Sequence, residues 1–306
     1  MIPPIFPSRR RFLEVALGAP LAGCGLAPLA SIAAPTEPAK KAKNRFCAFI
    51  KFIQQLPYKE LAETVAELGF DGIEATVRDG GQVLPERVEE DLPKLVEALK
   101  ACGLEVTVMA SSVNSLNQPH TKKVLRTASS LGIKRYRLAY YRYDLGRPII
   151  PQLDALKPVL RDLVAFHREL GLQGLYQNHA GATSVGAPIW DLHYLMQKYS
   201  PEDLAIAFDI RHATVEGGLA WPLHFRLARP HLGAIYVKDF RWQEDRKPKN
   251  VPLGTGRIDP KFFAQARSAG FSGPLSLHVE YLPDAGLAPN VAALKTDLAT
   301  LRRLWR

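Results

Sequence analysis

Short apolar runs along this chain end repeatedly in a few polar or ionisable residues. Six such segments are A-F-I-K (48–51), G-I-E-A-T (72–76), G-L-Y-Q-N-H (174–179), A-F-D-I-R-H (207–212), I-Y-V-K-D (235–239) and S-L-H-V-E (276–280). Between them, apolar residues recur at helical spacing. Because a barrel of alternating strands and helices gathers the carboxyl ends of its strands around one mouth, these polar residues are predicted to converge there. The pattern is typical of an enzyme.

Strands and helices alternate regularly from residue 45 onward. The apolar, β-rich runs predict strands at 45–52, 72–77, 104–109, 136–140, 172–176, 204–208, 232–237 and 275–279. Helical spacing and glycine stops predict helices at 58–68, 85–101, 122–131, 153–170, 188–199, 222–228, 260–269 and 291–304. No G-x-G-x-x-G follows the first strand, which disfavours a doubly wound sheet. The sequence predicts a single (β/α)8 TIM barrel over residues 45–306.

Residues 1–34 have the pattern of an export signal. The segment S-R-R-R-F-L-E at 8–14 resembles the twin-arginine consensus S-R-R-x-F-L-K and departs from it only at Glu14. A small-x-small cleavage site follows, but L-A-G-C, which ends at Cys24, also matches a lipobox. Signal cleavage and lipidation at Cys24 therefore stay open as alternatives. With residues 35–44 as a linker, we expect a periplasmic or extracytoplasmic protein.

Composition narrows the choice of partners. The chain has 306 residues, of which 47% are apolar and 23% charged, as in ordinary soluble domains. Residues 1–44 contribute four of the ten excess positive charges, and the rest are spread along the chain. A solvated basic surface therefore fits better than a nucleic-acid groove, although an anionic substrate stays open. Cys47 and Cys102 lack metal-ligand spacing and do not make a disulfide framework.

Ionisable residues at three predicted strand ends have the chemistry of a metal site. Asp209 follows four apolar residues, and His212 lies three positions further on. His179 and the H-V-E segment at 278–280 occupy the equivalent ends of strands five and eight. Carboxylates and imidazoles brought together from separate strands suit a divalent cation that polarises a sugar carbonyl or an enediolate oxygen.

Five short motifs together resemble the xylose-isomerase-like TIM barrels. They are G-F-D-G-I-E (69–74), F-D-I-R-H-A (208–213), V-K-D (237–239), P-L-G-x-G (252–256) and G-P-L-S (273–276). That superfamily contains sugar (phosphate) isomerases and epimerases, inosose dehydratase and endonuclease IV. The resemblance extends over residues 45–306 and implies a sugar isomerase or epimerase that abstracts a proton next to a carbonyl.

The resemblance also implies a set of metal ligands. The family's epimerases hold a metal with Glu after strand five, Asp after strand six, His after strand seven and Glu after strand eight. Here only Asp209 matches. Gln177 stands in place of the strand-five Glu, and Tyr236 in place of the strand-seven His. His278 stands in place of the strand-eight Glu, and Glu280 follows it two residues later. The implied cofactor is Mn, Mg, Co or Zn, held by Asp209, His278, Glu280 and Gln177. A degenerate barrel that binds no metal is the alternative.

The replaced glutamate affects the expected acid–base chemistry. Because an amide has no protonation equilibrium near neutral pH, Gln177 cannot act as a general base. We therefore expect proton transfer to depend on a single carboxylate, Glu280 or otherwise Glu74. His212 or His179 is expected to assist it.

Other polar residues at strand ends are candidates for substrate contacts. Lys238 is predicted to bind an anionic or oxyanion group, and Asp239 either orients it or caps the following loop. For Glu74, a salt bridge to Arg78 or Lys51 is the alternative to a catalytic role. The predicted substrate-binding residues are His179, Gln177, Asn178, Trp242 and Lys51. The T-V-E-G-G segment at 214–218, which contains Glu216, is predicted to be a flexible lid loop.

Two classes of function are consistent with the sequence. The first is an exported sugar isomerase or epimerase, or a lyase or dehydratase of the same superfamily. The second is a non-catalytic carbohydrate-binding barrel with a degenerate metal site. Export disfavours both a nucleic-acid partner and a phosphorylated substrate, so we expect a free sugar, a glycoside or a keto-sugar. The sequence does not specify the oligomeric state.

Overall fold

The computed structural model describes residues 44–306, which belong to one compact unit. The twin-arginine segment, the alternative cleavage and lipidation sites and residues 35–43 of the expected linker lie outside the described residues. Within residues 44–306, no helix combines the length and the apolar character that a membrane crossing requires.

Eight parallel strands within residues 44–306 close into a barrel, which confirms the predicted TIM fold. The closing pair joins the first and last barrel strands, with Phe46 opposite Leu275. In barrel order the strands are β1 (Phe46–Phe49), β2 (Gly72–Val77), β3 (Glu105–Ser111), β4 (Arg135–Arg137), β5 (Gln173–Gln177), β6 (Leu204–Asp209), β7 (Leu232–Val237) and β10 (Leu275–Leu277).

The helices cover the outside of the barrel. In α1, Leu61, Ala62 and Val65 form the buried face, and Gly69 ends the helix at φ 84°, a conformation that favours glycine. The α-helices described are α1 (Tyr58–Leu68), α2 (Val88–Ala101), α3 (Thr121–Ser130), α4 (Ile149–Leu170), α5 (Ile189–Met196), α6 (Ile210–Gly217), α7 (Trp221–Ala228), α8 (Lys261–Ser268) and α9 (Leu287–Leu304).

Two elements at the mouth differ from the predictions. A hairpin of β8 (Asp239–Trp242) and β9 (Pro248–Val251) follows β7 in place of a loop. The predicted lid segment belongs largely to helix α6, because the side chain of Asp209 caps this helix by accepting from the His212 backbone N–H. Glu216 accepts a hydrogen bond from the Gly181 N–H at 2.8 Å, so the α6 end is tied to the loop after β5.

The barrel interior carries an apolar layer below a polar one. A small buried cluster consists of Val108, Leu175, Ala205, Ala207, Ala234 and Tyr236. Because side chains alternate along a strand, residues two positions further on share the same face. Gln177, Asp209 and Lys238 therefore follow Leu175, Ala207 and Tyr236 toward the mouth. The fold thus sets ionisable side chains on an apolar floor.

Candidate active site

Six barrel strands place a polar side chain near the mouth, and we call this set the polar layer. Its members are Glu74 from β2, Arg137 from β4, Gln177 from β5, Asp209 from β6, Lys238 after β7 and His278 after β10. Each of the six is at most 5% exposed. Buried charges require partners, so the contacts within the layer determine what it can do.

Glu74 is fully buried and accepts hydrogen bonds from three side chains in the described structure. Arg137 Nε donates at 3.0 Å, Ser276 Oγ at 2.6 Å and His278 Nε2 at 2.9 Å. Burial alone would raise the pKa of Glu74, but the charges of His278 and Arg137 and these hydrogen bonds lower it to about 2. The partner of Glu74 is thus Arg137, in place of the predicted Arg78 or Lys51. Glu74 thus holds other side chains in position, and its carboxylate is not exposed to solvent.

Lys238 lies between two carboxylates. Its Nζ is 2.9 Å from Glu280 Oε2 and 3.3 Å from Asp209 Oδ2. Burial alone would lower the pKa of Lys238, but the charges of Asp209 and Glu280 raise it above its usual value. Burial opposes ionisation of Glu280 as well, yet Lys238 and His278 hold its pKa well below its usual range. The side chain of Glu280 remains 20% exposed, so this carboxylate faces the mouth.

Gln177 links the carboxylate of Asp209 to the guanidinium of Arg137. Since a carboxylate can only accept, the Gln177 nitrogen faces Asp209, donating to Oδ2 at 2.7 Å. Its Oε1 accepts from Arg137 Nη1 at 3.2 Å and from the Tyr140 hydroxyl. One amide therefore couples Asp209 to Arg137, and through Arg137 to Glu74.

The contacts of His212 define its tautomer. Arg211 Nη1 lies 3.0 Å from His212 Nδ1, and a guanidinium can only donate, so the proton of the neutral ring is on Nε2. Burial, followed by the charge of Lys238, lowers the pKa of His212 well below its usual value. His212 Nε2 lies 3.5 Å from Asp209 Oδ2 and has no hydrogen-bond partner among the described residues. His212 is thus a neutral donor beside Asp209.

His179 has the opposite tautomer. Its Nδ1 lies 2.8 Å from the Ala180 carbonyl, which can only accept, so Nδ1 carries the proton and Nε2 keeps its lone pair. Burial, and then the charge of Lys238, lowers the pKa of His179 to about 4. The half-buried ring packs 4.0 Å from the His212 ring and 4.8 Å from the Tyr140 ring. His179 therefore offers a neutral acceptor at the mouth.

Two of the polar strand-end residues hold the backbone. Asn178 accepts from the Asp209 N–H at 2.7 Å and donates to the Asp209 carbonyl at 3.1 Å, so it positions Asp209. Asp239 accepts hydrogen bonds from four backbone N–H groups in and just after the P-L-G-x-G motif, those of Gly254, Gly256, Arg257 and Ile258. A Cβ at position 256 would lie 2.1 Å from Asp239 Oδ1, which explains the glycine. Asp239 thus caps the loop, one of its two predicted roles.

Trp242 and Lys51 are not bonded to the polar layer in the described structure. Trp242 lies on β8, is 46% exposed and packs edge-on against Phe240. Lys51 is exposed, with its ammonium 4.8 Å from the centre of the Phe52 ring. Within the described residues, neither side chain makes a hydrogen bond or ion pair with the polar layer. Their predicted substrate contacts therefore remain predictions.

Several site residues were not recognised from the sequence. Arg137 went unnoticed because the fourth strand was predicted at 136–140, whereas β4 is Arg135–Arg137 and brings its last arginine inward. Ser276 lies two residues before His278, so strand alternation contains a signal for it. Arg211 is adjacent to His212, but only the fold shows that it sets the tautomer of this ring.

The predicted metal ligands do not fit a divalent cation in this arrangement. Among residues 44–306, no group of three or more His, Cys, Asp or Glu side chains is placed to hold a metal ion. The ammonium of Lys238 lies between Asp209 and Glu280, where a shared cation would bind. Gln177 directs its nitrogen to Asp209, and His278 directs Nε2 to Glu74. In the described arrangement these side chains form a lysine-centred ion-pair network, and the metal centre stays a prediction.

Comparison with known families agrees with this architecture. The family model described as xylose isomerase-like TIM barrel matches residues 62–304. The chain belongs to this family. A search of curated proteins finds no match to the sequence.

Solved structures of several enzymes share the fold at low sequence identity. The 3-keto-D-glucoside 4-epimerase of E. coli superposes with a TM-score of 0.65 at 16% identity, covering 85% of this chain and 100% of its own. The D-psicose 3-epimerase of Clostridium cellulolyticum gives 0.65 at 14% identity, with 86% and 99% covered. The probable 3-DHS dehydratase of Bacillus anthracis gives 0.66 at 15% identity, with 85% and 98% covered. Identities this low establish the fold of this xylose-isomerase-like barrel and leave its reaction open.

Proposed function

We propose that this protein is an enzyme that isomerises a sugar or keto-sugar by moving a proton at a carbon next to a carbonyl. The observation that carries the proposal is the contact between the partly exposed carboxylate of Glu280 and the buried ammonium of Lys238, at 2.9 Å. A carboxylate can take a proton from carbon, and an adjacent cation stabilises the oxyanion that develops. The pair supplies both functions in one place.

The chemistry follows from the donors that are present. Transfer of the proton to Glu280 breaks a C–H bond, and its electron pair forms the C=C bond of an enediolate. Lys238 directs protons at Glu280 and Asp209, and an ammonium has a third proton available for the enediolate oxygen. Return of the proton from Glu280 to the former carbonyl carbon, together with transfer of the hydroxyl proton of the adjacent carbon to the former carbonyl oxygen, completes the isomerisation.

Among the described carboxylates that contact the polar layer, Glu280 is the partly exposed one, which favours isomerisation, or elimination by a lyase, over epimerisation. Inversion at one carbon requires a second proton carrier on the opposite face of the substrate. Glu74 is fully buried and engaged by several donors, and Gln177 is an amide. Solved neighbours of the same fold include epimerases and a dehydratase, which is consistent with proton chemistry on this scaffold.

Solvent deuterium exchange tests the proposed reaction. The protein is incubated in D2O with a panel of aldoses, ketoses and their acids, and products are examined by NMR and mass spectrometry. We expect deuterium at one carbon next to the carbonyl. Glu280→Gln should lower turnover by about 10²–10⁴-fold, the usual contribution of a general base, without unfolding the barrel.

Glu244→Gln, on the exposed end of the β8–β9 hairpin, is the matched control and should keep the parental rate. Binding of a sugar without any deuterium uptake would instead support the carbohydrate-binding barrel. An undiminished rate in Glu280→Gln would reject Glu280 as the base.

A further inference from the structure

Arg78 is a cation at the mouth that has no acidic partner within residues 44–306. It directly follows β2, and its side chain is half-buried. The carboxylates around the polar layer are already paired, Glu74 with Arg137, and Asp209 and Glu280 with Lys238. The guanidinium of Arg78 is therefore a charge that the protein itself leaves uncompensated.

Arg78 lies over an aromatic ring that packs against the polar layer. Its Cζ is 5.8 Å from the centre of the Phe49 ring, and Arg137 Cζ is 5.7 Å from the same ring. The Phe49 ring also stacks on His278, with ring centres 4.4 Å apart. Glu280 is near enough to influence the pKa of Arg78. One aromatic ring therefore holds Arg78 beside the polar layer.

The backbone that carries Arg78 is fixed by a hydrogen-bonded turn. The Arg78 N–H donates to the Val83 carbonyl at 3.1 Å, and the Gly81 N–H donates to the Arg78 carbonyl at 2.8 Å. The Val83 N–H returns to the Thr76 carbonyl at 3.1 Å. The backbone that carries the side chain is therefore ordered before a ligand binds, which lowers the entropic cost of binding.

The electrostatics of Arg78 favour an anionic ligand. Burial, and then the charge of Arg137, lowers the pKa of Arg78, which means that its charge is held at a cost. A guanidinium nevertheless stays protonated in proteins. An anion that binds Arg78 relieves this cost and gains charge-assisted hydrogen bonds.

We propose that Arg78 binds a carboxylate of the substrate, so that the enzyme acts on a sugar acid such as a uronic or keto-sugar acid. The planar fork of a guanidinium donates two parallel hydrogen bonds to a carboxylate. A single negative charge also matches a single guanidinium better than the two charges of a phosphate. The inference rests on the proposed function only in assigning the bound acid as substrate.

Calorimetry with matched ligands tests this assignment. D-Fructuronate and D-tagaturonate differ from D-fructose and D-tagatose by a carboxylate in place of the terminal hydroxymethyl group, and D-fructose 6-phosphate supplies a phosphate there. Wild-type protein should bind at least one acid about tenfold or more tightly than its neutral counterpart. Arg78→Gln should abolish this preference, and Arg78→Lys should retain part of it.

Arg126→Gln is the matched control. Arg126 Cζ also lies over a phenylalanine ring, 5.3 Å from the centre of the Phe166 ring, but both residues belong to the outer helices. It should keep the preference of the wild type. Equal binding of acid and neutral sugar, no binding of either acid, or a preference that survives in Arg78→Gln would overturn the proposal. Tighter binding of the phosphate than of both acids would overturn the choice of a carboxylate. A preference for acids without deuterium uptake would reject the proposed reaction and leave the binding site intact.

Discussion

At the scale of single residues, the main feature of the site is a lysine ammonium between two carboxylates. Asp209 and Glu280 approach Lys238 from β6 and from the segment after β10, so the two carboxylates share one cation. Asp209 is further held by the Gln177 amide, which can neither ionise nor act as a base. Gln177, in place of the glutamate that the family resemblance implies, weakens a metal site. It suits a site in which the cation is the ammonium of Lys238.

Lys238→Met tests this role, because methionine keeps the length of the side chain and removes the charge. We expect kcat to fall by about 10²–10³-fold, as for loss of an oxyanion-stabilising donor. Wild-type enzyme dialysed against EDTA should keep its turnover, since the positive charge is covalently attached. Steady-state kinetics, with circular dichroism to verify folding, measures both effects.

Lys249→Met, on the exposed edge of the hairpin, is the control for loss of a lysine near the mouth. The lysine-centred site would be refuted if EDTA abolished turnover and a divalent ion restored it. Parental kcat in Lys238→Met would equally exclude the proposed role.

At the scale of elements, a buried histidine joins helix α4 to the barrel wall. His167 Nδ1 donates to the Asp203 carbonyl at 2.8 Å, so Nε2 accepts from the Tyr136 hydroxyl of β4 at 2.6 Å. Gly174 of β5 makes room for the ring, because a Cβ there would lie 2.5 Å from His167 Cε1. Burial lowers the pKa of His167 to about 4, and a protonated ring could not accept from Tyr136.

This contact predicts acid sensitivity of the fold. Below about pH 6.5 the unfolded chain takes up a proton at His167, whereas the folded chain does so only as the pH falls through about 4. The stabilisation is therefore present above pH 6.5 and is lost on acidification. From this group alone, the free energy of unfolding should fall by roughly 2–3 kcal/mol between pH 7 and pH 4.5.

Urea unfolding of His167→Gln at the two pH values provides the comparison. Glutamine can replace the donor and the acceptor without titrating, so the variant should lose less stability on acidification than the wild type. His193→Gln, on helix α5, controls for removing a histidine from a helix on the outside of the barrel. An identical loss of stability in wild type and His167→Gln would contradict the prediction.

At the scale of the whole molecule, the closed barrel brings together residues more than 200 positions apart, such as Glu74 and His278. Charges from separate strands compensate one another in its mouth, and Arg78 is left for a ligand.

We further propose that the chain is exported in a folded state, on the basis of the S-R-R-R-F-L-E segment at 8–14.

Changing Arg9 and Arg10 together to Lys tests export of the whole molecule. Because the twin-arginine pair is the recognised feature, the variant should accumulate in the cytoplasm while keeping the circular dichroism of the folded barrel. Cell fractionation measures its location, and Arg302→Lys, near the end of α9, is the control. Normal export of the double variant would reject the signal. Fatty-acid labelling with Cys24→Ala as reference distinguishes a lipid anchor from a cleaved protein.

The sequence by itself determined the barrel and the location of its chemistry, because strand and helix periods are local properties. Apolar runs such as that of β7, Leu232–Val237, were predicted with their observed bounds, and Asp209, Lys238 and Glu280 were expected at the mouth. Only the tertiary structure decided which charges meet. Lys238 contacts Asp209 and Glu280, and Glu74 contacts Arg137. These contacts depend on the register of the barrel strands and on the length of the side chains, which no local pattern encodes. The ammonium between two carboxylates could therefore be seen only in the folded chain.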